Sequence, residues 1–209
     1  SDGSVVAIGA NFHRGTGSSR GKHRSGHVRI FKNVDNTWTQ VGNDIDGESD
    51  SDMSGSSISL SADGSVVAIG AIFNDANGPG MVPGYGNLGH VRIFKNVNDT
   101  WTQVGIDIDG EADFDRSGKA VSLSADGSIV AIGAYYNDGN GSDSGHVRIY
   151  KNVNDTWTQV GNDIDGEAAE DNSGYSLSLS ADGSIVAIGA PNNDGNGSDS
   201  GHVRIYKNV

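Results

Sequence analysis

The sequence contains no cysteine, only three prolines, and no apolar run long enough to span a bilayer. Without cysteine, disulfides, thiolate zinc sites and cysteine nucleophiles are excluded. Without a run of about 18 apolar residues, no transmembrane helix is expected. Positive charge is also scarce. Fourteen Lys+Arg face 27 Asp+Glu in 209 residues, a formal charge of −13. So acidic a chain lacks the basic footprint with which a general nucleic-acid binder displaces counterions. Apolar residues make up only 34%, a share that borders on that of disordered chains. No stretch of useful length shows helical periodicity.

What the chain has in quantity is glycine, 32 residues, and repetition. The string DGS-(V/I)-VAIGA starts at Asp2, Asp63, Asp126 and Asp182, and GHVRI starts at Gly26, Gly89, Gly145 and Gly201. WTQVG starts at Trp38, Trp101 and Trp157, and IDGE at Ile45, Ile108 and Ile164. Each GHVRI is followed 37 residues later by the next Asp-Gly-Ser, whereas the reverse interval is 24, 26, 19 and 19 residues. All length variation is therefore confined to one segment of each unit. Such fidelity is the mark of a repeat architecture, not of disorder.

Each unit reads as four short strands, A to D. Strand A alternates with period two, as in Tyr175 to Ser180. Asp-Gly then predicts a tight hairpin, since both positions tolerate positive φ. Strand B, Ser184 to Ala190, is almost continuously apolar, so both of its faces are expected to be covered. Strand C is His202 to Lys207 and strand D lies around Thr156 to Gly161, with an Asn-Asp turn between C and D. Four antiparallel strands repeating every 56 residues or so predict an all-β fold, a β-propeller of four-stranded antiparallel blades. The strands run B-C-D, A-B-C-D, A-B-C-D, A-B-C. That makes 14 strands or about three and a half blades, a partial propeller expected to be a window of a longer propeller or array. The units fall at residues 1–53, 54–116, 117–172 and 173–209.

The stretch Ser173 to Tyr206, SGYSLSLSADGSIVAIGAPNNDGNGSDSGHVRIY, resembles the FG-GAP repeat of integrin α-subunit propellers and of many secreted microbial and algal proteins. The resemblance covers essentially the whole chain and implies a propeller in an extracellular or cell-surface protein. The sequence departs from the pattern in three ways. Ser-Gly replaces Phe-Gly at Ser54, Ser117 and Ser173. Only Gly189-Ala190-Pro191 keeps Gly-Ala-Pro; Asn11, Ile72 and Tyr135 stand in the proline position elsewhere. The family's calcium loop between strands A and B is replaced by Ser-Ala-Asp-Gly-Ser, too short to wrap an ion that takes 6–8 oxygens.

Candidate chemistry is sparse. Each D–A connection is acidic: Asp44, Asp46, Glu48, Asp50 and Asp52, with counterparts in the next two units. This reads either as cation binding or as a solvated, turn-rich loop. The B–C loops Asp138, Asn140, Ser142 and Asp194, Asn196, Ser198 alternate oxygen donors with glycine. They read either as a weak Ca2+ site or as a hairpin held by its own Asx turns. His27, His90, His146 and His202 recur one per blade, which favours a repeated packing element over a metal centre. Trp38, Trp101 and Trp157 are expected to fill the wedge between blades. No Ser-His-Asp set stands apart from the repeat, and no catalytic residue is assigned.

Antiparallel strands put the A–B and C–D turns on one face and the variable B–C and acidic D–A loops on the other. Variation on a rigid scaffold marks a working surface. The first B–C loop carries Arg14, Arg20, Lys22 and Arg24, and the second carries Met81, Val82 and Tyr85. Together they read either as a partner contact, the basic loop docking on an acidic D–A surface of another protein subunit, surface protein or second copy, or as loops paired with the nearby D–A acids of the same molecule. Asn98, Asn140, Asn154 and Asn196 open glycosylation sequons, relevant to a secreted eukaryotic protein. The expectation is a non-enzymatic extracellular propeller that mediates adhesion, protein contact or filament assembly. The alternatives are a carbohydrate-binding propeller that uses Tyr85 or Tyr135, and part of a secreted hydrolase whose active site lies outside the segment.

Overall fold

A computed structural model describes residues 3–14, 24–75 and 86–207. Every element in it is a β-strand, and neighbouring strands within each sheet pair antiparallel. The first sheet contains β1 (Val5–Gly9), β2 (His27–Val34), β3 (Thr37–Gln40) and β4 (Ile45–Asp46). The second contains β5 (Ser54–Leu60), β6 (Val66–Ala71), β7 (His90–Val97), β8 (Thr100–Gln103) and β9 (Ile108–Asp109). The third contains β10 (Ala120–Leu123), β11 (Ile129–Ala134), β12 (His146–Val153), β13 (Thr156–Gln159) and β14 (Ile164–Asp165). The fourth contains β15 (Ser176–Leu179), β16 (Ile185–Ala190) and β17 (His202–Lys207). Each sheet is one unit of the repeat, and the two middle sheets meander through all four strands from A to D; the first lacks A and the fourth lacks D among the described residues.

The described residues form 17 strands where 14 were expected. The three extra ones, β4, β9 and β14, are the far half of strand D. In the first blade β3 pairs with the end of β2, from Val34↔Thr37 to Phe31↔Gln40. Its sequel β4 pairs with the start of β2, at Val28↔Ile45 and His27↔Asp46. Two residues of β2 thus face four on the outer strand, and residues 42–44 bulge outward. Ile45, Ile108 and Ile164 drive the rejoining: the first two are buried, and the third packs onto a core cluster.

The A–B turn also differs from expectation. Gly64, Gly127 and Gly183 adopt φ near +70°, but the aspartates before them do not. The turn is wider, spanning Ser61 to Ser65. Asp63 Oδ1 accepts from Ser61 Oγ (2.7 Å) and from the Ser65 N–H (2.9 Å), while Ser61 Oγ accepts from the Val66 N–H (2.9 Å). The two serines close a network around the carboxylate that a two-residue hairpin has no room for. It recurs at Asp126 and Asp182, whose carboxyls, like that of Asp63, lie below the usual range. For Asp182 the value falls to about 2, chiefly through the hydroxyl of Ser180. At the C–D turns both Asn98 and Asp99 have positive φ, as do Asn154 and Asp155, the type I′ geometry that suits hairpin twist.

The core lies between blades. Strand B explains why: its alternate residues leave on opposite faces. Val67 and Ile69 pack with Val28, Ile30 and Ile45 of the preceding blade. Val66 and Ala68 pack with Leu123, Val130 and Ile132 of the following one. A third cluster joins Val147 and Ile149 to Val186 and Ile188. Each seam is also stitched by hydrogen bonds. Trp101 Nε1 donates to Val41 O (2.9 Å), and Trp157 Nε1 to Val104 O (3.0 Å). Arg92 Nη2 reaches Asp46 O (2.7 Å), and Arg148 Nη2 reaches Asp109 O (2.6 Å). At the inner edge, Ser59 Oγ accepts from the Leu123 N–H and Ser122 Oγ from the Leu179 N–H. On the turn rim, Ala62 N donates to Ala125 O and Ala125 N to Ala181 O, a backbone ladder running from blade to blade.

Candidate interaction face

The face opposite that ladder is formed by the B–C and D–A connections, which bond to one another. Ser54 N donates to Ser25 O, and Phe73 N donates to Asp52 O, so each D–A connection lies between the B–C segments of two units. The acidic connections are not uniformly solvated, as a simple loop reading implies. Asp52, Asp115 and Asp171 are buried. Asp115 Oδ2 accepts from the Ala112 N–H (3.0 Å) and from Asn137 Nδ2 (3.0 Å). Asp171 repeats this with Ala168 and Asn193. Burial pushes the Asp52 carboxyl up, opposed by the Ser49 N–H. These aspartates pin the loops, leaving Asp50, Asp113 and Glu170 outside.

On this pinned frame, residues at variable positions of three units meet. Tyr135 and Tyr136 follow β11, Arg116 and Lys119 precede β10, Tyr175 precedes β15 and Phe73 follows β6. The Tyr135 and Tyr136 rings lie 4.0 Å apart, and Tyr175 meets Tyr135 edge-on at 5.4 Å. Arg116 stands over the rings of Tyr136 (4.6 Å) and Phe73 (5.1 Å) and donates to Tyr135 Oη (2.6 Å). Lys119 Nζ stands 4.4 Å from the Tyr175 centroid. Burial raises the Tyr135 phenol, so it stays protonated at neutral pH. Tyr175 and the neighbouring Phe114 are 45% and 54% exposed, large apolar surface on this rim. Sequence reasoning singled out Tyr135 here and missed the other five. Their signal was present: Arg116 replaces Met53 and Asn172 of the other units, and Lys119 replaces Ser56 and Tyr175.

The residues singled out from sequence scatter over the structure. Arg14 and Arg24 lie on the first B–C segment, where Arg24 stands 5.7 Å over the Phe12 ring. Arg20, Lys22, Met81, Val82 and Tyr85 lie outside the described residues. Asp138 Oδ1 accepts from the Asp143 N–H and Asp194 Oδ1 from the Asp199 N–H, each at 2.8 Å. Asn140 Nδ2 donates to Gly166 O and Glu167 O (2.9 and 3.0 Å). Ser142 and Ser198 complete these loops, and Asn196 N donates to Ser200 Oγ. Such bonds close the loop without an ion. Asn98, Asn140, Asn154 and Asn196 are all exposed, although the Asn140 amide is already engaged. Each strand-C histidine heads its strand. His90 and His146 are almost wholly buried, and burial lowers both; His90 falls to about 4, aided by Arg92 and opposed by Asp107. Both imidazoles are therefore neutral near pH 7.

Radially arranged four-stranded antiparallel blades with the core in their seams define a β-propeller protein. Residues 101–150 and 163–206 match the FG-GAP repeat. These two stretches are FG-GAP repeats. No curated protein matches the chain. Among solved structures it is similar to the periplasmic gluconolactonase PpgL of Pseudomonas aeruginosa, 14% identical with a TM-score of 0.51, over 96% of this chain and 49% of that one. It also aligns with the structure of U3-55K, 14% identical with a TM-score of 0.45, over 85% of this chain and 48% of that one. The chain spans about half the length of each, and the first likeness is one of fold. No helix among the described residues is long and apolar enough to cross a membrane.

Proposed function

We propose that this propeller is a non-catalytic recognition module of an extracellular or cell-surface protein, and that it grips a partner protein through the B–C and D–A loop face. The observation that carries this reading is the convergence of aromatic and cationic residues from three units, Phe73, Arg116, Lys119, Tyr135, Tyr136 and Tyr175, at positions the repeat leaves variable. Rigid aromatics with Arg among them are the composition of an interface hot spot. Two cations in a chain of net charge −13 favour an acidic, aromatic-bearing segment of the partner. The buried acids of this face, Asp115 and Asp171, are occupied in holding turns, which supports binding over catalysis. A carbohydrate ligand is the second reading, favoured by the exposed Tyr175 ring.

The test is an immobilised library of acidic and neutral peptides, run beside a glycan array. The expected result is salt-sensitive retention of acidic peptides, at least about tenfold weaker after Arg116→Ser with Tyr175→Ala. Glycan binding lost with Tyr175→Ala and no peptide retention transfers the face to carbohydrate. Binding to neither refutes the module. Self-assembly has its own readout in light scattering: Ser at Arg14, Arg20, Lys22 and Arg24 is expected to abolish it, and unchanged scattering removes that loop from the contact.

A further inference from the structure

The repeat brings a second constellation together, built from residues other than those of the aromatic patch. His90 Nδ1 lies 3.6 Å from Asp107 Oδ2 of its own blade and 3.9 Å from Glu48 Oε2 of the preceding blade. His146 Nδ1 lies 3.8 Å from both Asp163 Oδ2 and Glu111 Oε2. In each triad one donor atom from every residue falls within 4.8 Å of the others. His90 and His146 are each 1% exposed, and neither ring nitrogen of either has a hydrogen-bond partner. An imidazole so buried and unpartnered is costly unless something else contacts it.

The separations say what that is. At 3.6 to 3.9 Å the groups are too far apart for direct hydrogen bonds. They approach the donor spacing of roughly 3.3–3.6 Å in a tetrahedron whose ligand bonds are about 2.0–2.2 Å. The carboxylates are also held from behind. Gln103 Nε2 grips Asp107 Oδ1 (2.7 Å), leaving Oδ2 toward the imidazole. Arg92 Nη1 stands 3.6 Å from Glu48 Oε1, leaving Oε2 toward it. Gln159 holds Asp163 and Arg148 faces Glu111 in the same way. Outer groups that fix the orientation of ligands are the mark of a built site.

We propose that Glu48–His90–Asp107 and Glu111–His146–Asp163 are divalent-cation sites of the zinc class, each clamping two consecutive blades. One imidazole nitrogen with two carboxylate oxygens selects zinc-like ions over calcium or magnesium, which take all-oxygen shells. The fourth position is left for water. His27 and His202 give the internal contrast. Among the described residues, His27 has one carboxylate at ion-pair distance, Asp44, which Arg29 already grips from two nitrogens, and the His13 ring packs 4.1 Å from its own. His202 faces Glu167 alone. The triad is complete only where one blade's Glu meets the next blade's His and Asp.

The experiment titrates the full chain, stripped with EDTA, with ZnCl2 in a calorimeter. Two ions per chain are expected, with no comparable uptake of Ca2+. Co2+ in place of Zn2+ should give the visible d–d absorption of a four-coordinate site. Glu48→Gln should remove one ion, and adding Glu111→Gln both, by weakening each site at least about tenfold. The thermal midpoint should rise with Zn2+ in the wild type and not in the double variant. If the double variant does not fold, imidazole 15N spectra of the wild type decide: Zn2+ must shift Nδ1 of His90 and His146. No uptake by the wild type, unshifted Nδ1 signals, or undiminished uptake by a folded double variant overturns the proposal.

Discussion

The seams between blades and the loop rim are built from the same repeated sequence, yet they keep it differently. Along the seams nearly every residue recurs: Val67 and Ile69, Val130 and Ile132, Val186 and Ile188 are all buried in equivalent places. On the loop rim the same scaffold tolerates Asn11, Ile72, Tyr135 and Pro191 at one position. The seam is constrained on two sides at once, since each strand-B residue must fit a neighbouring blade. The rim is constrained only by the buried Asp–Asn pairs beneath it, so the residues above them are free to differ. The sequence therefore varies where the packing makes no demand.

This contrast can be broken most severely at Gly133. A Cβ there would run into the carbonyl of Gly174 in the next blade. Gly133→Ala should therefore cost about 3 kcal/mol, visible as an earlier midpoint in urea. Next comes the indole pair. Trp101 is partly buried and bonded to Val41 O, whereas Trp38 is 48% exposed. Trp101→Ala should cost about 2 kcal/mol and Trp38→Ala less than about 1 kcal/mol by the same assay. Equal costs would mean that the seam does not hold the indole. The smallest effect is expected on the turn rim. Asp126→Asn weakens the bonds from Ser124 and Ser128, costing about 1 kcal/mol or less at an exposed turn. The Asp126 value is depressed in the folded chain, mainly by the Ser124 hydroxyl. Its contribution is thus present above the ordinary carboxylate value and lost as pH falls through the depressed one. The gap between wild type and variant should close on acidification from pH 5 toward pH 2; a gap independent of pH would show that the charge plays no part.

The arithmetic of recurring strings was enough to give the strand order, the blade count and the face on which variation collects. The unbroken apolar run of strand B told that both its faces are covered. Less could be read of strand D. Trp-Thr-Gln and Ile-Asp look like a strand and a loop in one dimension, and only the pairing of β4 with β2 shows them to be one bulged edge. The Asp-Gly turn was placed correctly and given the wrong geometry, because propensity for positive φ outweighed the two flanking serines. The histidines were compared with one another, blade against blade. What His90 and His146 each meet is a pair of acids from two units, and the constant offset from GHVRI to the IDGE after it hinted only at the acid of the histidine's own blade.

The linear pattern by itself determined the units, their strands and which side chains leave on which face, because period-two alternation and turn residues act over a few positions. The tertiary structure alone decided what those side chains touch. Glu48 and His90 are 42 residues apart, and Arg116, Tyr136 and Phe73 belong to different blades or loops. Their meeting depends on how closely two twisted sheets stack and on where an outer strand bulges, and those are set by the fit of whole surfaces rather than by any local preference.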